Sequence, residues 1–408
     1  MRLLFCAILA LCFASCVNDK ERKKELPPKD NVFVEAVQNP STENSQLPRL
    51  FSNGKELYFS WVTRKDSADV LNYAVLRDTT WTPSTEIIEG NDWFTNWADF
   101  PNIAENNGRI LTSFLQKSDS GTYTYDVKLN LYNPETKEWK KNFILHNDGT
   151  KSEHGFVSVK PYAHNSFAVT WLDGRETVGK GHGGGQMTLR AALVFEDGTI
   201  DYDTLLDEKV CDCCNTALAI GPKDQIIVAY RDRSDEEIRD ISVTDWTMEA
   251  NWSAPRTIGN DNWKIAGCPV NGPALDTYEE ATVAAWFTAA NEEGEVKVAF
   301  SSDGVKTFSE PIRIDAGNAT GRVDVVMLSA SEAAVLWMEP SGEDEVIQLA
   351  RVKTDGTISE PINIAKTSAE RASGFPQVEK VGNTLYMAWT VVEGEDSRIE
   401  MASVDVGL

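Results

Sequence analysis

Four cysteines in the middle of the chain are the residues whose types and spacing most directly imply chemistry. Cys211, Cys213 and Cys214 occupy three of four consecutive positions, and Cys268 follows further along the chain. Cys268 can form a disulfide with only one of the other three, and the remaining two would then need a strained vicinal or near-vicinal bridge. Thiolates also bind soft metal ions or act as nucleophiles. Three interpretations therefore stay open: structural disulfides, a copper or zinc site with His154 as an additional ligand, and a catalytic thiol.

Three arginines form a second candidate group. Arg49, Arg322 and Arg371 each stand where an apolar, strand-like segment begins. A planar, permanently charged guanidinium suits bidentate binding of a carboxylate. Three of them in one pocket of an acidic protein would favour an acidic glycan or another small anionic ligand. The alternative is that each arginine pairs with a nearby acid, such as Asp324 beside Arg322.

The first residues of the sequence predict export. Arg2 is followed by an apolar run, Leu3–Ala14, that is too short for a membrane span of about 20 residues. The run leads into Phe13-Ala14-Ser15-Cys16, which resembles the lipobox of bacterial lipoproteins, whose cysteine becomes the lipid-modified first residue. We therefore expect Cys16 to carry a lipid and the protein to lie outside the cytoplasm in the cell envelope, at the outer membrane or cell surface. An ordinary signal peptide with an incidental Cys16 is the alternative.

The chain is strongly acidic, with 39 Lys and Arg against 63 Asp and Glu and a formal net charge of -24. Such a field repels phosphate backbones, so we expect no nucleic-acid partner. We expect membrane contact through the lipid anchor only, and a monomeric protein. Residues 18–30 are charged, contain Pro27-Pro28 and have no apolar period, which indicates a solvated tether.

A repeated pattern sets the elements that must position these residues. Short apolar segments that end in an aromatic residue recur at intervals of 51 residues (Trp286 to Trp337) to 59 residues (Trp171 to Tyr230). The seven aromatic residues are Trp61, Phe114, Trp171, Tyr230, Trp286, Trp337 and Trp389. Each segment is rich in β-forming residues, follows another strand candidate, and precedes two more. A unit of about four antiparallel strands repeated in this way is typical of a β-propeller blade.

We therefore predict an all-β protein, a β-propeller of seven four-stranded blades, with six blades plus an extra sheet as the alternative. The spare N-terminal strand 32–37 is expected to complete the last blade. The predicted organisation is a lipoprotein signal peptide at 1–15, a charged tether at 16–30 and a single β-propeller domain at 31–408.

The segments that lead into the innermost strands should surround the central channel on one face, which we call the entry face. Long charged loops on a rigid scaffold are where a functional site is expected. The residues predicted there are Arg49, Asp99, Glu153, His154, Cys211, Cys213, Cys214, Cys268, Arg322 and Arg371. His146 and His164 are expected to be isolated surface residues.

A multi-bladed propeller with clustered arginines resembles the sialidase superfamily. Repeats of that family often carry the Asp-box (BNR) turn Ser-x-Asp-x-Gly-x-Thr-Trp, and the segment 301–308 is similar to it, with Val305 in place of glycine and Phe308 in place of tryptophan. The cysteine stretch, together with Tyr-Arg-Asp-Arg-Ser-Asp at 230–235 and Gly-Cys-Pro-Val-Asn-Gly-Pro at 267–273, also resembles exported bacterial propellers of this kind. Known sialidases mostly have six blades, so seven blades depart from that pattern.

The resemblance implies roles for particular residues. Sialidases bind the sugar carboxylate with three arginines and use an aspartic acid as proton donor and a tyrosine as nucleophile. Arg49, Arg322 and Arg371 would match the arginines, and Asp99 the proton donor. The tyrosine candidates are Tyr123, Tyr125 and Tyr230.

Three functions follow from these alternatives. The first is a sialidase-like protein that binds or cleaves an acidic glycan. The second is a propeller that binds copper or zinc through its cysteines. The third is a non-catalytic scaffold with structural disulfides, since a fold by itself does not fix a function.

Overall fold

The computed structural model describes residues 33–180 and 184–407. The expected signal peptide, the tether and the lipidation site Cys16 lie outside the described residues. Within these two ranges the chain forms 30 strands and three short 3-10 helices, and the strands make seven separate sheets. No helix of the described part is long and apolar enough to cross a membrane.

The strands are assigned to blades in chain order, and β1 (Val34–Ala36) precedes them all. Blade 1 contains β2 (Ser45–Ser52), β3 (Glu56–Lys65), β4 (Ala68–Arg77), β5 (Thr80–Trp81) and β6 (Thr85–Gly90). Blade 2 contains β7 (Ile103–Asn106), β8 (Arg109–Lys117), β9 (Tyr125–Asn133) and β10 (Glu138–Ile144). Blade 3 contains β11 (His154–Tyr162), β12 (Ser166–Asp173), β13 (Met187–Val194) and β14 (Ile200–Val210).

The second half of the chain continues the series. Blade 4 contains β15 (Ala217–Gly221), β16 (Gln225–Arg231), β17 (Ile241–Thr247), β18 (Asn251–Trp252) and β19 (Arg256–Thr257). Blade 5 contains β20 (Ala274–Tyr278), β21 (Ala281–Thr288), β22 (Glu295–Ser301) and β23 (Ile312–Arg313). Blade 6 contains β24 (Gly321–Ser329), β25 (Glu332–Ser341), β26 (Asp344–Lys353) and β27 (Ile362–Thr367). Blade 7 contains β28 (Gln377–Val381), β29 (Thr384–Glu393) and β30 (Asp396–Asp405). The 3-10 helices are Arg175–Thr177, Pro222–Asp224 and Arg371–Ser373.

Each aromatic-ended repeat forms the second strand of its blade, which confirms the seven-bladed propeller. A second strand is hydrogen-bonded on both edges and packed on both faces against neighbouring blades, so its residues are mostly apolar and are buried. Every residue of β12 and of β21 is buried. The hydrophobic core accordingly lies between blades; Val283 of blade 5 and Trp337 of blade 6, for example, share one cluster.

The N-terminal strand closes the ring. β1 pairs antiparallel with β30, with Val34 opposite Val404 and Ala36 opposite Ala402, and it is the outermost strand of blade 7. The first and last blades also share a core, in which Phe59 packs with Met401. Closure of this kind removes the exposed edges that an open array of sheets would present.

The innermost strands line a central channel with charges of both signs. A channel cavity of about 50 Å³ is bordered by Arg49 and Lys160 and by the acids Asp276, Asp324 and Glu379. The side chain of Asp276 accepts a hydrogen bond from the Met327 backbone N–H of the next blade (2.6 Å), and Asp324 accepts one from Val378 in the same way (2.9 Å). Channel carboxylates therefore join the inner strands of neighbouring blades.

Candidate functional site

The cysteines of two successive blade junctions meet on the entry face. Cys211, Cys213 and Cys214 lie between the end of β14 and the start of β15, and Cys268 lies between β19 and β20. The sulfur atoms of Cys211 and Cys214 are 3.3 Å apart, and those of Cys211, Cys213 and Cys214 all lie within 4.8 Å of one another. The Cys268 thiol interacts with Cys213. All four are free thiols in the structure.

Hydrogen bonds and a buried arginine favour the thiolate form at two of these positions. Hydrogen bonds with Cys213 and Cys214 hold the pKa of the Cys211 thiol well below its usual range. A hydrogen bond with Cys213 lowers the pKa of Cys268 to about 7. The guanidinium of Arg239, which is buried, donates a hydrogen bond to the Cys211 sulfur over 3.3 Å. Two of the four sulfurs are therefore poised as thiolates, the form that binds metal ions.

Arg231, from the stretch 230–235, holds the cysteine loops together. Its backbone carbonyl accepts a hydrogen bond from the Cys211 N–H over 3.0 Å. Its buried guanidinium donates to the carbonyls of Asn271 (2.9 Å) and Arg239 (2.6 Å). Arg231 thus connects the loop of Cys211, through its backbone carbonyl, with the loop that carries Cys268, through its side chain.

Contacts from the stretch 267–273 complete this arrangement. The N–H of Gly272 donates to the Asn215 side chain over 3.1 Å. A Cβ atom at position 272 would lie 1.9 Å from the Asn215 carbonyl oxygen, so only glycine fits there. On the outer side, Arg233 forms an ion pair with Asp212 at 3.2 Å. The three stretches that the sequence analysis grouped by resemblance therefore build one site.

Asp99, Tyr125 and Glu153 form a second polar group at the junction of blades 2 and 3. The Tyr125 hydroxyl lies 2.8 Å from Glu153 Oε1 and 3.2 Å from Asp99 Oδ2. Burial raises the pKa of Asp99 to about 8 and that of Glu153 to about 7. The Tyr125 hydroxyl can donate to either carboxyl group, and burial shifts both acids towards the protonated form.

The three tyrosine candidates have different surroundings. Tyr125 adjoins Asp99, whereas Tyr123 is 57% exposed and the Tyr230 hydroxyl donates to Asp207 over 2.5 Å. Asp99 also accepts a hydrogen bond from the Phe156 N–H over 2.7 Å, which joins blade 2 to blade 3 as the channel acids join other blades. Of the three candidate tyrosines, only Tyr125 lies within hydrogen-bond distance of Asp99, the predicted proton donor.

The three arginines are placed differently from one another. The guanidinium of Arg322 is buried and donates to the Ser373 hydroxyl (2.7 Å) and the Gly374 carbonyl (2.8 Å). Arg49 lines the channel, where it is hydrogen-bonded to the Gln377 side chain. Arg371 is exposed, in the last 3-10 helix. The arginines thus occupy a buried, a channel-lining and an exposed position.

Arg322 does not form the alternative ion pair with Asp324 that the sequence suggested. Asp324, offered by the sequence as its partner, turns instead to the Val378 N–H. The ring of Trp97 lies beneath the Arg322 guanidinium, 4.8 Å from its central carbon to the ring centroid. Burial lowers the pKa of Arg322 to about 10, and the charge of Glu345 partly offsets this effect.

The histidines do not follow the sequence expectation. The expectation of an exposed His146 is wrong: it is 2% exposed and its ring stacks on that of His154, whereas His164 is exposed as expected. The reason is Asp148, which lies close to both stacked rings and draws the segment between β10 and β11 inwards. His154 accordingly faces carboxylates, and the structure gives it a neighbourhood other than the sulfur cluster.

The segment 301–308 forms a compact turn between β22 and β23, the third and fourth strands of blade 5. The carboxylate of Asp303 accepts hydrogen bonds from the N–H (3.0 Å) and hydroxyl (2.7 Å) of Thr307. Val305 has a φ of 56°, a left-handed conformation that explains why glycine is usual at this position of the Asp-box.

Sequence reasoning missed several residues of these groups. Arg239, Asp148 and Asp173 were not singled out, because each is one of many charged residues in a chain that has 102 of them, 39 basic and 63 acidic. For Arg239 a signal existed: it lies in the same interstrand loop, between β16 and β17, as most of the stretch 230–235 that binds the cysteine loop.

Comparison with known proteins supports the fold. No family model and no curated protein matches the chain. Among solved structures, the polysaccharide lyase Uly1 has a TM-score of 0.53 at 8% identity, covering 92% of this chain and 99% of that chain. The phage phi92 endosialidase has a TM-score of 0.51 at 9% identity, covering 92% and 69%. The NanB sialidase from Streptococcus pneumoniae has a TM-score of 0.47 at 12% identity, covering 91% and 70%. At these identities the likeness establishes the fold alone, and the chain is a seven-bladed propeller with the fold of sialidase-like and related β-propellers.

Proposed function

We propose that this protein binds a soft transition-metal ion, copper or zinc, through Cys211, Cys213, Cys214 and Cys268. The observation that carries the proposal is that the thiols of Cys211, Cys213 and Cys214 lie within 4.8 Å of one another and that Cys268, from the next blade junction, interacts with Cys213. Structural disulfides do not need a buried guanidinium on one of the sulfurs, whereas a metal–thiolate group carries negative charge that Arg239 would offset.

The sulfur geometry fits such an ion. Metal–sulfur bonds of about 2.3 Å in a tetrahedron place sulfur atoms roughly 3.8 Å apart. The Cys211–Cys214 separation of 3.3 Å is close to that value, and the three sulfurs of Cys211, Cys213 and Cys214 all lie within 4.8 Å of one another. Cys268 is exposed and Cys213 half-buried, so an ion can enter from solvent.

Metal content of protein purified without a chelator tests the proposal. We expect about one equivalent of copper or zinc per chain by elemental analysis and by native mass spectrometry. The Cys213→Ser variant, which loses a central ligand, should weaken binding by at least about 100-fold. Met248→Leu is the matched control, because it removes an exposed sulfur outside the cluster and should bind as the wild type does. Two disulfides with no bound metal in native protein would contradict the proposal.

A second candidate function is the binding or hydrolysis of an acidic glycan on the same face. It is favoured by the hydrogen-bonded group of Asp99, Tyr125 and Glu153, in which two buried acids with raised pKa values lie within hydrogen-bond distance of one tyrosine hydroxyl. In this reading Asp99 gives a proton to the leaving group, and Glu153 takes the proton of the Tyr125 nucleophile. Of the three predicted arginines, Arg49 in the channel and the exposed Arg371 remain the proposed residues for a sugar carboxylate, whereas the guanidinium of Arg322 is buried and hydrogen-bonded within the fold.

Release of a fluorophore from a sialic-acid glycoside tests this second candidate. If it is right, Tyr125→Phe should reduce the rate by at least about 100-fold, because the nucleophile is lost. Tyr123→Phe removes a neighbouring exposed hydroxyl and should leave the rate unchanged. Arg371→Ala should raise KM or abolish release if this arginine binds the substrate. Wild-type protein that releases no fluorophore would count against sialidase activity.

A further inference from the structure

A second donor cluster lies at the junction of blades 2 and 3, apart from the cysteines. Asp126 belongs to β9, His146 and Asp148 to the segment after β10, His154 to the start of β11, and Asp173 to the end of β12. Donor atoms of Asp126, His146 and His154 lie within 4.8 Å of one another, and so do those of Asp148, His154 and Asp173. Two blades therefore contribute five potential ligands to one buried region.

The two imidazole rings are stacked and almost free of solvent. Their centroids are 3.6 Å apart, the rings are within 5° of parallel, and His146 and His154 are 2% and 0% exposed. Nδ1 of His146 lies 2.7 Å from Asp148 Oδ1, and Nδ1 of His154 lies 3.4 Å from the Tyr125 carbonyl oxygen. With Nδ1 donating to these acceptors, each neutral ring has its lone pair on Nε2.

Both Nε2 atoms are buried without a hydrogen-bond partner, and both face carboxylates. His154 Nε2 lies 3.3 Å from Asp148 Oδ1 and 3.7 Å from Asp173 Oδ1. His146 Nε2 lies 3.6 Å from an oxygen of Asp126. A lone pair directed at a carboxylate oxygen is repulsive, so a positive charge is needed between them.

The fixed charges of the region leave room for a cation. Three carboxylates, those of Asp126, Asp148 and Asp173, are accompanied by Lys128 (3.5 Å from Asp126) and Arg175 (2.7 Å from Asp173). The two cations leave one negative charge of the three carboxylates uncompensated, so the buried region is net negative and attracts a cation.

We infer that Nε2 of His154 and the Oδ1 atoms of Asp148 and Asp173 bind a divalent cation that accepts mixed nitrogen and oxygen ligands, such as Zn²⁺ or Mn²⁺. Bonds of about 2.0–2.2 Å place neighbouring ligands roughly 2.9–3.6 Å apart, close to the observed 3.3 and 3.7 Å. The donors are hard or borderline, so this site differs in preference from the thiolate cluster.

Outer contacts hold the three ligands in place. The His146 ring donates to Asp148, and the Tyr125 carbonyl orients His154. Trp171 Nε1 and Arg175 donate to the carboxylate of Asp173. Hydrogen-bonded second partners of this kind fix the orientation of metal ligands.

The burial of the site assigns it a structural role. His154 and Asp173 have no exposed surface, so no position is open to a substrate, and the ion would join the loop after blade 2 to the first two strands of blade 3. Tyr125 and Glu153 are the sequence neighbours of Asp126 and His154. The cation would therefore also fix the junction that positions Asp99, Tyr125 and Glu153.

The test uses full-length protein in which Cys213→Ser and Cys268→Ser remove the thiolate site. Stripped of metal and titrated with Co²⁺, this protein should bind one equivalent and show visible d–d bands without a thiolate-to-cobalt charge-transfer band. Zn²⁺ or Mn²⁺ should raise its Tm by a few degrees at concentrations well above Kd. The same titration is independent of the outcome for the cysteines, because two of their sulfurs are absent.

His154→Gln should weaken Co²⁺ binding by at least about 100-fold and abolish the Tm increase, whereas His164→Gln, at an exposed position, should do neither. Asp148→Asn provides a second ligand variant if His154→Gln does not fold. Two results would overturn the inference: a folded, metal-free protein that takes up no cation and whose Tm ignores Zn²⁺ and Mn²⁺, which would mean that a shared proton balances the charge, or cation binding that persists in both ligand variants.

Discussion

Replacing Arg231 with methionine is expected to lower the free energy of unfolding by about 3–5 kcal/mol and to weaken metal binding by the cysteines by at least about tenfold. The side chain is 2% exposed and its guanidinium donates to the carbonyls of Asn271 (2.9 Å), Arg239 (2.6 Å) and Phe287 (2.6 Å). Methionine fills much of the volume but donates nothing, so three buried acceptors lose their charged donor. The tie between the Cys211 and Cys268 loops is lost at the same time.

Urea unfolding and metal titration of purified protein measure the two effects. Arg398→Met is the matched control, because that arginine forms only partly exposed ion pairs with Glu393 and Glu400 and should cost less than about 1 kcal/mol. An Arg231→Met protein within about 1 kcal/mol of wild type, with unchanged metal affinity, would show that the carbonyls find other donors and that the two loops do not depend on this tie.

Arg322→Met is the second large-effect prediction, with an expected loss of about 3–4 kcal/mol of unfolding free energy. The buried guanidinium binds atoms of the segment 369–374, including the Ser373 hydroxyl (2.7 Å) and the Ala369 carbonyl (3.2 Å), and lies over the ring of Trp97. That segment leads into β28, so its arginine contacts join blade 6 to blade 7. The loss is expected because Arg322 stabilises the ring of blades.

Arg371→Met is the control in the same segment, since Arg371 is exposed and its replacement should change stability by less than about 0.5 kcal/mol. Comparison of the Arg322→Met and Arg371→Met variants distinguishes a structural role of Arg322 from a role in binding a sugar carboxylate. A structural arginine lowers stability when replaced, whereas an arginine that binds a sugar carboxylate lowers glycan binding in a protein of normal stability. Equal stability of both variants and wild type in a denaturant titration would refute the structural role.

Arg231 and Arg322 make contacts that the neighbouring sequence does not predict. Each is buried and donates mainly to backbone carbonyls of neighbouring segments, whereas the acids near them in the sequence, Asp232 and Asp324, bind other partners. Arg322 also has a φ of 51°, so the strand entry is bent at the residue that makes the contacts. Surface arginines usually pair with acids, as Arg398 does. Buried and surface arginines therefore look alike in the sequence and differ only in the folded protein.

The repeat of apolar segments by itself determined the blade number and the closing strand. A second strand contacts other strands on both edges and both faces, so its residues are mostly apolar and β-forming whatever the conformation of the loops. The pattern can therefore be recognised from a short stretch of sequence. The same spacing placed Cys268 and the stretch 211–214 at successive blade entries. It also placed Asp99 and Glu153 on one face, because each occurs just before or at an inner strand.

Only the tertiary structure decided which of these side chains meet. Tyr125 became the partner of Asp99 and Glu153 because β9 begins beside the entry to β11, a pairing of backbone segments that no residue pattern encodes. His146 and His154 became a stacked, buried pair because Asp148 lies between two blades and close to both rings. Periodicity constrains which face of a strand is buried, whereas contacts between blades depend on where each loop folds, and loops are set by individual hydrogen bonds rather than by a repeat.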